Sequence, residues 1–91
     1  MTQKKIAVLI RERQDEALRM ALGITLCDDI IDIYILDRRL EQSEKNNNNV
    51  RVVRELEMNL YTNCKENGDM EYVSTKEIAQ RLTGYDLVLP Y

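Results

Sequence analysis

Histidine is absent from this sequence of 91 residues, and its absence removes more chemistry than any residue present suggests. Serine–histidine–aspartate and cysteine–histidine machineries, histidine general bases and histidine-containing metal sites are all excluded. Glycine occurs three times, at Gly23, Gly68 and Gly84, with no GxGxxG pattern. The loop after the first apolar run, Arg11 to Gln14, therefore has no glycine to let a pyrophosphate approach the backbone, and dinucleotide and P-loop nucleotide sites are not expected. Excess basic charge is lacking too: 13 Lys and Arg stand against 16 Asp and Glu, a formal charge of −3. Neutralisation of nucleic-acid phosphates has no support in that balance. The longest strongly apolar amino-terminal stretch, Ile6 to Ile10, is too short for a signal sequence core or a membrane span, so no membrane partner is expected and the cytoplasm is the expected compartment. Two cysteines, Cys27 and Cys64, without CxxC spacing, do not make a disulfide framework.

What is present reads as alternating strands and helices in one domain spanning residues 1–91, without linker or internal repeat. Ile6-Ala7-Val8-Leu9-Ile10 is a continuous apolar, β-branched run, the mark of a strand buried on both faces of a parallel sheet. Asp15 to Cys27 has helical composition with acids in the first turn, and its apolar residues run nearly all round from Ala17 onward. Such a helix is buried on more than one side, and a second subunit is the simplest cover in so small a chain. Asp32 to Leu36 is the second strand, and Glu41 to Asn49 (EQSEKNNNN) reads as a mobile polar loop. Val50 to Met58 follows as a short amphipathic helix, with Asn59 as its left-handed terminus. Leu60 to Asn63 is the third strand, delivering Cys64 at its carboxyl end, and Met70 to Val73 a short fourth. Ser74-Thr75-Lys76-Glu77 is a capping box opening a helix that ends near Gly84, before a last strand from Asp86 to Leu89 closed by Pro90. The pattern predicts a small α/β sandwich of three layers: a mainly parallel sheet of four or five strands with helices on both faces.

Ligands of open parallel sheets bind beyond the carboxyl ends of the strands. That edge collects Arg11, Glu12, Arg13 and Gln14; then Asp37, Arg38 and Arg39; then Asn63, Cys64, Lys65 and Glu66; and finally Pro90 and Tyr91. A cysteine shares a rim with several arginines, and nearby positive charge stabilises the reactive thiolate. Arg11, Arg13, Asp37, Arg38 and Asn63 are the candidate anion- or substrate-binding residues around Cys64. Plainer readings stand beside this one: Cys64 as an ordinary strand-end residue, Cys27 as helix packing, and the arginines as solvated loop charges paired with Glu12 and Asp37. Asp28, Asp29 and Asp32 cluster at the opposite edge, and neither a metal nor a cofactor is expected. Asp37 stands where a phospho-acceptor aspartate would, but the chain is short for that class and lacks the paired acids after the first strand that would hold magnesium.

With these segments assembled, KKIAVLI, DIYILD, ELEMNLYTNC and EYVSTKEIAQRLTGYDLVLPY, the chain resembles the DsrE/DsrF/DsrH-like family, also called YchN-like. The more specific part of the resemblance is order: a cysteine directly after the third strand, a short strand, an amphipathic helix and a terminal strand with Tyr85-Asp86-Leu87-Val88. The family implies a flavodoxin-like sandwich assembled as trimers or hexamers, from identical or homologous subunits. It also implies persulfide sulfur carried on such a cysteine, which gives Cys64 the role of sulfur acceptor, serving a donor or acceptor protein. The chain departs from the family pattern after the cysteine, with Lys65-Glu66-Asn67-Gly68, and after the second strand, with Asp37-Arg38-Arg39. Two functions are thus expected from different classes: at most a sulfurtransferase-like persulfide carrier, or a non-enzymatic oligomeric binding subunit.

Overall fold

A computed structural model describes residues 4–24, 30–56, 58–68 and 70–90. The expectations for Cys27, Asp28, Asp29 and Tyr91 fall outside them. In chain order the elements are β1 (Lys5–Ile10), α1 (Gln14–Ile24), β2 (Ile30–Ile35), α2 (Glu44–Glu55), β3 (Asn59–Thr62), β4 (Glu71–Tyr72), α3 (Thr75–Leu82) and β5 (Leu87–Pro90). The five strands form one sheet in the order β4-β3-β2-β1-β5, every pair parallel.

The layers follow from the handedness of parallel crossovers. From β1 to β2 to β3 the chain steps in one direction, so α1 and α2 share a face and pack side by side. The return from β4 to β5 crosses the whole sheet the other way, and α3 lies on the opposite face. Strand alternation divides the core accordingly. Ile6, Val8, Ile10, Ile31, Ile33 and Ile35 face Ala17, Leu18 and Ala21 of α1 and Val50 and Val53 of α2. Ala7, Leu9, Tyr34 and Leu36 face Val73 and Ile78. The continuous apolar run of β1 is therefore buried on both faces, as its composition predicts, and β2, interrupted by Asp32, is buried on both faces as well.

Two local expectations are overturned. The asparagine-rich stretch is not a loop: α2 begins at Glu44 and takes in all four asparagines. Ser43 caps it, its hydroxyl accepting from the Asn46 amide at 3.1 Å. Asn46 is buried one turn ahead of Val50 and Val53, so it extends their face. Its Nδ2 donates to the Glu41 carbonyl (2.9 Å) and to Gln14 Oε1 (3.4 Å), while its Oδ1 has no partner among the described residues. Asn59, for its part, is no left-handed helix terminus. It opens β3 and donates from Nδ2 to Asp32 Oδ1 at 2.8 Å, and Asp32 lies inside β2. At Ser74 half of the expected box forms: its hydroxyl accepts from the Glu77 amide at 3.2 Å, while the Glu77 carboxylate, instead of bonding back to the Ser74 amide, lies 3.7 Å from Arg81. No helix among the described residues is long and apolar enough to cross a membrane.

Candidate functional site at the carboxyl edge of the sheet

Four strands contribute one side chain each to a hydrogen-bonded chain across the carboxyl edge. Arg11, just past β1, donates from Nε to Asp37 Oδ2 at 2.9 Å. Asp37, just past β2, donates its backbone N–H to Asn63 Oδ1 at 2.7 Å, and Asn63 Nδ2 donates back to Asp37 Oδ1 at 3.0 Å. The same Nδ2 donates to Thr75 Oγ1, beyond β4, at 2.9 Å. The loop after β3 turns toward the α1/α2 face, where Met70 joins that core, while β4 leads to α3 on the other face. The Asn63–Thr75 bond thus bridges a topological switch point, the place where ligands of open parallel sheets bind.

Asp37 anchors this chain in an unusual backbone state. Its φ is 66°, the single positive value among the described non-glycine residues. Aspartate visits that region more readily than most residues because its short side chain bonds locally. The reciprocal pair with Asn63 holds it there. The Asn63 donor, foremost, and then the Arg11 guanidinium hold the Asp37 carboxyl below the ordinary carboxylate range.

Around this chain the other rim residues take their places. Arg11, Arg13, Asp37 and Arg38 line one open cleft together with Glu12 and Pro90. Within it Arg38 Nη2 lies 3.8 Å from Glu12 Oε1, an exposed and loose pair. Cys64 follows Asn63 directly. It is half-buried and unpaired by any disulfide. Its backbone is pinned from both sides: its N–H donates to Thr62 Oγ1 at 3.1 Å and its carbonyl accepts from the Asn67 amide at 3.1 Å. Thr62 is itself fully buried and donates to the Ile35 carbonyl at 2.8 Å. Cys64 shares the edge with the arginines but does not line their cleft, and the carboxylates of Asp37 and Glu12 are the partners of Arg11 and Arg38.

Thr75 is the rim member that sequence reasoning missed. It was legible only as part of a capping box, although its place directly after the fourth strand puts it on the ligand edge. Asn67, deep in the loop after β3, was likewise silent in sequence. Its Oδ1 accepts from the Leu40 amide (2.8 Å) and its Nδ2 donates to Thr62 Oγ1 (2.9 Å), tying the loops after β2 and β3 together. Comparison of the chain with family models, with curated proteins and with solved structures gives no match.

Proposed function

We propose that this chain is a sulfur carrier of the DsrE-like kind that accepts a sulfane sulfur on Cys64. The observation that carries the reading is the placement of Cys64: a free, half-buried thiol two residues past the end of β3, on the carboxyl edge, next to the residue that bridges the switch point. The backbone bonds of Cys64 to Thr62 and Asn67 give the thiol a fixed mount. In the transfer, the Cys64 thiolate attacks the outer sulfur of a donor persulfide, R–S–SH. A sulfur–sulfur bond forms at Cys64 Sγ, the donor's own sulfur–sulfur bond breaks, and its electron pair leaves with R–S⁻. No external oxidant or reductant is consumed. Arg11, Arg13 and Arg38 supply positive charge on the same edge for an anionic donor.

Mass spectrometry after incubation with glutathione persulfide tests this, with wild type beside Cys64→Ser. Wild type gains one sulfur that reductant removes, and the variant gains none. Equal uptake by Cys64→Ser, or a Cys64 thiol that resists alkylation in the native protein, would overturn the assignment.

The alternative, a non-enzymatic oligomeric subunit, is favoured by a different observation. Ile30 at the start of β2, Leu87 at the start of β5 and Leu56 at the end of α2 are large apolar side chains exposed at the amino edge, opposite the rim. A trimer or hexamer in the native mass spectrum, with no sulfur uptake, selects that reading.

A further inference from the structure

We infer that Asn67 is a site of spontaneous deamidation which the fold holds shut, so that opening of the loops after β2 and β3 exposes the chain to a one-way chemical change. Of the seven asparagines, Asn67 alone precedes a glycine, Gly68. That order is the labile one, because a glycine leaves its backbone nitrogen unscreened by a Cβ and free to swing onto the preceding side chain. The fold itself does not call for a glycine there. No glycine among the described residues has a positive φ, and a Cβ built at Gly68 would meet nothing within 4 Å. The inference goes beyond the carrier reading and requires no sulfur chemistry.

The reaction consumes only water. The Gly68 nitrogen gives up its proton and attacks Asn67 Cγ. A C–N bond forms, a five-membered imide closes, and Nδ2 leaves as ammonia with the proton. Water then opens the imide at one of its two carbonyls and returns an aspartate or an isoaspartate. In the closed molecule Cγ is denied to this attack, because Asn67 is only 5% exposed and its amide is held at both ends. Oδ1 accepts from the Leu40 amide at 2.8 Å, and Nδ2 donates to Thr62 Oγ1 at 2.9 Å and to the Arg38 carbonyl at 3.3 Å. Cyclisation requires all three bonds to break, so its rate follows the population of the open form. The product cannot resume the old place. An aspartate carboxylate only accepts, and it would set an oxygen against the Arg38 carbonyl and against a Thr62 hydroxyl already donating to Ile35. The joint between the two loops is therefore not remade.

Peptide mapping by mass spectrometry tests this by following the amide-to-acid conversion at each asparagine in mildly alkaline buffer, for the folded chain and for the chain in urea. Asn67 is expected to convert first in urea, and at least about tenfold more slowly in the folded chain. Gly68→Ala, which the fold accommodates, slows the conversion in urea several-fold. Below the unfolding transition, hydrogen exchange of the Leu40 amide rises with urea in proportion to conversion at Asn67, since one opening releases both. Asn67→Asp reproduces one of the two products, and its Leu40 amide exchanges several-fold faster than in wild type. Equal conversion in the folded chain and in urea, another asparagine converting ahead of Asn67 in urea, or wild-type protection of Leu40 in Asn67→Asp would each overturn the inference. Sulfur uptake at Cys64 enters none of these readouts, so this site and the carrier reading stand or fail separately.

Discussion

A left-handed backbone costs an L-residue roughly 1–2 kcal/mol, and at Asp37 that cost is met by bonds with two residues, Asn63 and Arg11. The same bonds set its acidity, which makes the carboxyl a reporter of the rim. Because its folded pKa is lowered, Asp37 contributes stability above its unfolded pKa, and that contribution is lost as pH falls through the folded value. The side chain is more than half exposed, so the contribution to global stability is small and the titration itself is the better observable. Carboxyl NMR is expected to place Asp37 below the ordinary aspartate value. Asn63→Ala should raise it more than Arg11→Gln does, since the Asn63 donor is the larger cause. Added salt should erode the Arg11 share and spare the Asn63 share. An Asp37 that titrates normally in wild type would mean that the loops after β2 and β3 are not joined in solution. The members of this chain were readable as residues at strand ends. That they bond to one another was not, because each link spans 12 to 26 positions of sequence.

At the scale of elements, α2 separates composition from register. Asparagine is a weak helix former, and four in succession read as a loop when residues are weighed one at a time. The helix forms because Ser43 caps it and because Asn46, Val50 and Val53 fall on one face against α1 and the sheet. The exposed asparagines should then be a propensity cost that substitution relieves. Asn47→Ala and Asn48→Ala are each expected to stabilise the protein by about 0.5 kcal/mol, and Ser43→Ala to cost about 1 kcal/mol, by urea denaturation. A loop would respond to none of the three. The first strand was readable because a doubly buried parallel strand is written in consecutive apolar residues, which needs no knowledge of its neighbours. Asn59 was misplaced for the opposite reason: its partner, Asp32, lies on another strand, so nothing adjacent in sequence marks it as the start of β3.

The whole molecule closes through a polar cluster on the α3 face that no local pattern announces. Tyr85, where the chain returns from α3 toward β5, donates to Asp32 Oδ2 of β2, and its hydroxyl lies 2.7 Å from that of the buried Tyr34. The Tyr34 ring stacks on Tyr61 of β3 at 5.0 Å. Residues separated by 53 positions are thereby joined across β1, and Asp32, itself buried, takes its bonds from Tyr85 and Asn59. Burial, then the bonds to Asp32 and Tyr34, push the Tyr85 hydroxyl well above the usual tyrosine range. Tyr61 moves the same way, chiefly through burial. A tyrosine whose folded pKa is raised stabilises the fold fully below its unfolded value of about 10. Above that value the unfolded chain releases the proton that the folded chain retains, so stability falls as pH rises. The urea midpoint of wild type is therefore expected to drop between about pH 9 and about pH 11. Tyr85→Phe should lower stability at neutral pH by about 1–3 kcal/mol, because the Asp32 carboxylate loses a donor, and should show a shallower alkaline decline. Every other group is common to the two proteins, so the difference between the two slopes is the quantity that isolates Tyr85. Equal slopes would mean that Tyr85 ionises alike in the folded and unfolded chains, and that the closure across β1 does not depend on its hydroxyl.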